Sequence, residues 1–132
     1  MNKPYTVLAL VSLLGLGIAN ADIVVIGNVA AANLTKGEVS DIFLGKTAGI
    51  TPLDQPASAP IKGEFYLKVT SRELNQVKAI WARLTFSGQG QPPKELTDDA
   101  AIVKAVAADP KAVGYIHKNS VDGTVKILLS VD

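Results

Sequence analysis

The stretch from Leu34 to Tyr66, LTKGEVSDIFLGKTAGITPLDQPASAPIKGEFY, constrains the fold more than any other, because it packs two helix starts, one helix stop and a polar turn into a short span. Thr35, followed three residues later by Glu38, forms a capping box, and Leu34 with Val39 can close over it as a hydrophobic staple. Val39, Ile42 and Phe43 then share one helical face. Gly45 stands where a helix ends in a left-handed residue. Ile50–Leu53 reads as a short strand. Asp54, Gln55, Pro56 and Ala57 turn the chain, and Ser58 is expected to cap a second helix with Pro60 in its first turn. A polar turn that opens onto a helix start leaves backbone N–H groups free for an anion, so Asp54–Ser58 is the candidate ligand site. The plainer reading is an ordinary strand-to-helix connection with a serine cap.

Upstream, Lys3, the apolar run Val7–Ile18 and the small-x-small step Ala19-Asn20-Ala21 have the form of a secretory signal peptide. The run falls short of the roughly 20 apolar residues of a membrane span. Residues 1–21 are therefore expected to be a leader, and residues 22–132 a single exported domain with no membrane insertion after processing. The chain has no cysteine, hence no disulfide and no thioether lipid anchor, and a periplasmic location is expected. The formal net charge is +1, with Lys3 in the leader. Lys104, Lys111, Lys118 and Lys126 are scattered, so neither nucleic acid nor an acidic membrane surface is indicated as a partner.

Asp22–Gly27 (DIVVIG) reads as a buried strand, expected to run parallel to its neighbours. A helix over about Ala59–Val69 stacks Ile61, Phe65 and Val69. Thr70 and Glu73 look like a further capping box, opening a helix with Leu74, Val77, Ile80, Trp81 and Leu84 on one stripe and ending before Ser87-Gly88. Gly88–Pro93 is a loop. Thr97 is expected to cap the next helix, which Asp109-Pro110 stops. Val113–Ile116 and Val125–Val131 are strands. Strands and helices interleave in this order in an α/β domain with a small sheet.

The chemistry offered is sparse. Gly27 stands alone where a dinucleotide site needs three glycines, and the Gly88–Pro93 loop lacks the ending of a P-loop. His117 is the only histidine and there is no cysteine, which argues against a zinc or copper site, and no cofactor is implied. Ser58, His117 and Asp54 could be imagined as a triad, but no nucleophile elbow supports it. Asp98-Asp99 reads as a helix start. No enzyme activity is expected.

Ile42-Phe43-Leu44-Gly45-Lys46 resembles the I-F-x-G-K signature of phosphate-binding proteins of bacterial ABC transporters. Trp81–Gly88, Gln91-Pro92-Pro93 and Asp109-Pro110 with Val113–Ile116 are similar to later segments of a short subgroup of that family, in the same order. The resemblance covers nearly all of residues 22–132. It implies one lobe of a type II periplasmic-binding-protein fold: a small mixed sheet with helices on its faces, Asp22–Asn28 entering and Val125–Val131 leaving. It also implies phosphate or a similar oxyanion as ligand, held in the Leu53–Pro60 stretch. Ser58 matches the family's serine. Leu53 stands near its arginine and Ala59-Pro60 replaces Gly-Thr, so the charged clamp is missing unless Lys62 or Arg72 supplies it. The candidate ligand-binding set is thus Asp54, Gln55, Ser58 and Lys62. The partners implied are an ABC transporter permease or a second lobe, from another copy or another protein. The alternative is a ligand-free module of the same fold that docks on another envelope protein.

Overall fold

The structure is a computed structural model that describes residues 22–131; the leader expected over residues 1–21 lies outside them. Within the DIVVIG run, Ile23–Gly27 becomes β1, whose five residues are all buried, while Asp22 stays exposed before it. Its side chains alternate between two cores. Ile23 and Val25 join Phe43, Phe65 and Tyr115 on one face. Val24 and Ile26 join Leu53, Ile102, Val106 and Ile116 on the other. The expected parallel pairing of β1 is wrong: it runs antiparallel to both of its neighbours. A continuous apolar run encodes burial on both faces, and that is met here whichever way the neighbours point.

The remaining elements are α1 (Lys36–Phe43), β2 (Thr51–Asp54), α2 (Pro60–Thr70), α3 (Leu74–Phe86), β3 (Lys94–Glu95), α4 (Asp99–Ala108), β4 (Ala112–His117), a 3-10 turn (Lys118–Ser120) and β5 (Lys126–Val131). They form a five-stranded sheet in the order β3-β2-β4-β1-β5. β2 pairs in parallel with β3 and β4, so the sheet is mixed, as expected. Helices α1, α2 and α3 cover one face and α4 the other. Gly114 in β4 lets α4 lie close, since a Cβ there would stand 2.5 Å from Ile102 Cγ2.

The capping box of α1 forms as read: Glu38 N–H donates to Thr35 Oγ1 at 3.1 Å and Thr35 N–H to Glu38 Oε1 at 2.8 Å. Gly45 takes φ +80° at its end, where α3 packs over it: a Cβ would lie 2.9 Å from Trp81 Cη2. Three other caps are corrected. The residue before a proline is pushed to extended backbone, so Ala59 is the N-cap of α2 and Ser58 makes no cap bond. Glu73 with Gln76 forms the box of α3, because Thr70 still belongs to α2 and donates to Tyr66 O at 2.6 Å. Asp98, not Thr97, caps α4, accepting from Ala101 N–H at 3.0 Å.

Candidate functional site

Because β2, β3 and β4 run parallel, their carboxyl ends reach the same edge of the sheet, with Asp54, Glu95 and His117 at the tips. Ile23 pairs with both His117 and Val131, so β1 begins and β5 ends at this edge. Helices α2 and α4 start here too. The crevice beyond the carboxyl ends of parallel strands is where α/β sheets place ligands, because helix N-termini and loops converge there.

A chain of polar contacts runs along the edge. Asp54 is 3 % exposed and lies at its centre. Tyr66 Oη donates to Asp54 Oδ2 at 2.7 Å, and Tyr115 Oη makes a short hydrogen bond to Oδ1. Gln55 N–H also donates to Asp54 Oδ1 at 2.9 Å. Lys62 Nζ stands 3.7 Å from Asp54 Oδ2 and 2.9 Å from Glu95 Oε2. Burial, and behind it the charge of Asp54, push both phenols above the usual tyrosine range. The two tyrosines therefore stay protonated donors, which is what a buried carboxylate needs.

Gln55 continues the chain. Its Nε2 donates to Tyr115 O at 3.0 Å and to Asp99 Oδ1 at 2.9 Å, which uses both amide protons. Asp99 Oδ2 accepts from His117 N–H at 3.1 Å and from Ser120 Oγ at 2.8 Å, and lies 2.8 Å from His117 Nδ1. Burial raises the Asp99 carboxyl, but the hydrogen bonds from Gln55, Ser120 and His117 outweigh it and hold the group below the usual carboxylate range. An ionised Asp99 fixes the proton on His117 Nδ1. Ser120 bonds the carboxylate and not the imidazole, so no activated nucleophile results.

The residues singled out in the sequence are thus only partly brought together. Asp54 and Gln55 are buried and occupied by Tyr66, Tyr115 and Asp99. Lys62 is at the edge but is shared between two carboxylates. Ser58 is exposed, in the turn before α2. In that turn Ala59 N–H is bound to Pro56 O and Lys62 N–H to Ala59 O, which removes two of the donors an anion would have used. Arg72 lies beyond the far end of α2, where its guanidinium donates to Thr70 O at 3.2 Å, so it does not supply the missing clamp. Ser58, His117 and Asp54 form no triad, since His117 and Asp54 are each held by other partners. Among the described residues no group of three or more His, Cys, Asp or Glu could hold a metal.

Tyr66, Tyr115, Asp99, Glu95 and Ser120 were missed in the sequence. One signal was available: Tyr66 and Tyr115 both fall in buried elements, and a buried tyrosine hydroxyl needs a partner. Asp54, the last residue of β2, is the partner that both find.

No protein-family model and no curated protein matches this sequence. Solved structures do. An ABC-type phosphate transport receptor from Vibrio cholerae superposes with a TM-score of 0.64 at 19% identity, over 82% of this chain and 45% of that one. A phosphate ABC transporter substrate-binding protein from Clostridium perfringens, with bound phosphate, gives 0.62 at 18% identity over 82% and 44%. PstS from Borrelia burgdorferi gives 0.61 at 13% identity over 82% and 46%. The chain spans less than half the length of these structures. Its fold is that of one lobe of a phosphate-transport receptor.

Proposed function

We propose that this chain is an exported, non-catalytic binding lobe that supplies one half of an oxyanion site, with phosphate as the ligand class. It works in the periplasm with a second lobe, from another copy or another protein, or with the permease of an ABC transporter. The observation that supports this is the course of β2. It runs out at the carboxyl edge of the sheet directly into the exposed Ser58 turn and the start of α2, with Lys62 beside it. The Ser58 hydroxyl and the positive end of the α2 dipole are what one lobe offers to an anion.

The same edge sets the affinity. Glu95, Asp98 and Asp99 stand along it, and Lys62 is already paired, so a phosphate dianion gains little net attraction. One open lobe also leaves the anion in water, where each charged contact is weak. Binding by the monomer is expected near the millimolar range, about 4 kcal/mol. Calorimetric phosphate titrations at several protein concentrations, with Ser58→Ala alongside, test this. Submicromolar binding by a proven monomer would sink the half-site reading. If phosphate does not bind at any concentration and Ser58→Ala behaves like wild type, the ligand-free docking module becomes the better account. The full occupancy of Asp54, Gln55 and Lys62 favours that second reading.

A further inference from the structure

A groove of about 600 Å³ runs beside α3. It is lined by Leu74, Val77, Trp81 and Phe86 of α3 and by Pro92 and Pro93 of the loop that follows. Phe86 is 95 % exposed, an apolar side chain that no contact within the lobe explains. A volume between roughly 300 and 1,000 Å³ with mainly apolar walls and a few polar groups is typical of small-molecule sites. The polar groups here are not equivalent. Asp54, Tyr66, Lys62 and Glu95 also line the groove but form a closed set among themselves. Lys78 lines it as well and has no carboxylate within ion-pairing distance among the described residues.

We propose that this groove binds a small amphipathic carboxylate, its apolar body along Trp81, Val77 and Pro92–Pro93 and its head on Lys78. An inorganic dianion gains nothing from apolar walls and would lose water there. An uncharged apolar ligand would cover Lys78 without pairing it, and a cationic one would meet a like charge. A carboxylate carried on an apolar chain satisfies both features at once. The groove reaches the Ser58 turn at Ala57 and Lys62, but the carboxylate head sits on Lys78 and not there, so the proposal stands whether or not phosphate binds at that turn.

The test uses the purified protein and the emission of Trp81, its only tryptophan, which lines the groove. Decanoate is the probe, with decyl glucoside and decyltrimethylammonium as head-group controls, all below micelle formation. Decanoate is expected to shift Trp81 emission saturably and to bind more tightly than either control. Lys78→Glu should weaken it about tenfold, the effect of reversing one exposed charge beside another. Ala82→Phe, which fills the groove from the exposed side of α3, should abolish binding with the melting temperature retained. Saturating phosphate should leave decanoate binding unchanged. Equal binding of all three amphiphiles, or an unaffected Lys78→Glu variant, would reduce the effect to undirected adsorption and overturn the proposal. Displacement by phosphate would merge the groove with the oxyanion site and overturn it too. So would light scattering that shows a dimer broken by Phe86→Ser and unmoved by decanoate, since a second copy would then be the occupant.

Discussion

Replacing Asp54 by alanine strips the polar chain of its centre, and the structure gives the cost. The carboxylate accepts from two buried hydroxyls, Tyr66 and Tyr115, and from Gln55 N–H. Gln55 N–H keeps an alternative, since Tyr115 Oη lies 3.1 Å away. The two phenolic protons do not. An unsatisfied buried donor costs about 1–3 kcal/mol, so the pair gives roughly 2–6 kcal/mol. Lys62 retains Glu95, and the carboxylate's own desolvation penalty is recovered, which trims the upper end. The expected loss is about 2–5 kcal/mol, a large part of the roughly 5–15 kcal/mol that holds a domain together. For a domain of this size that lowers the midpoint by about 8–20 °C. Asp54→Asn should fall between wild type and Asp54→Ala, because its amide can still accept from one hydroxyl and donate to the other.

Urea melts followed by circular dichroism measure this, and a double-mutant cycle with Tyr66→Phe isolates the pair. Tyr66→Phe in the wild-type background should cost about 1–2 kcal/mol, and much less once Asp54 is gone. If Asp54→Ala stays within about 0.5 kcal/mol of wild type, or the cycle shows no coupling, the carboxylate is not what holds these hydroxyls.

The same two tyrosines predict an alkaline limit: their folded pKa values lie above the unfolded value of about 10. The folded state then holds more protons above pH 10, and stability should fall there by about 1.4 kcal/mol per pH unit for each tyrosine; urea melts from pH 9 to 12 should show a slope that Tyr66→Phe halves. Trp81 is 8 % exposed and its indole N–H donates to Phe43 O at 3.1 Å, so Trp81→Ala should cost about 3–5 kcal/mol in a thermal melt. An unchanged midpoint would mean that α3 contributes little to the core.

The sequence showed its local devices best. The Thr35–Glu38 box and the Gly45 stop depend on neighbours within a few residues, and both formed as read. The other caps slipped by one to three residues because each start offers competing caps side by side: Ser58 and Ala59, Thr70 and Glu73, Thr97 and Asp98. Pro60 decides the first and the length of α2 decides the second, neither of which a spacing rule contains. The direction of β1 was not legible, since DIVVIG specifies two covered faces and no orientation. The polar chain was hidden for a related reason. Asp54 and Tyr115 are 61 residues apart and meet only because β2 pairs with β4 in the register Leu53↔Gly114. A shift of one residue would turn Tyr115 toward the α4 face and take one of the two hydroxyls from Asp54.

The half-site reading carries a physical requirement on whatever closes over this edge. The Glu95 side chain is 51 % exposed and the Asp99 side chain 15 %, while Asp98 is exposed beside the start of α4. Asp54 is already neutralised within the lobe by hydroxyls and Lys62, so it asks nothing of a partner. Asp98, the exposed part of Asp99 and Glu95, which shares Lys62 with Asp54, do, because covering them without further countercharge would strand carboxylates out of water at a cost of several kcal/mol each. A neutral or acidic second surface therefore does not fit. The complementary face has to bring cations or N–H donors to these positions, and arginine suits it better than lysine because its fork can hold a carboxylate and an oxyanion at once. The clamp absent from this chain, where Leu53 and Pro60 stand, would then be supplied from the other side. Two identical copies cannot meet this edge to edge, since each would present the same carboxylates to the other. A different protein with a basic face therefore fits as the second half of the site better than a second copy of this chain.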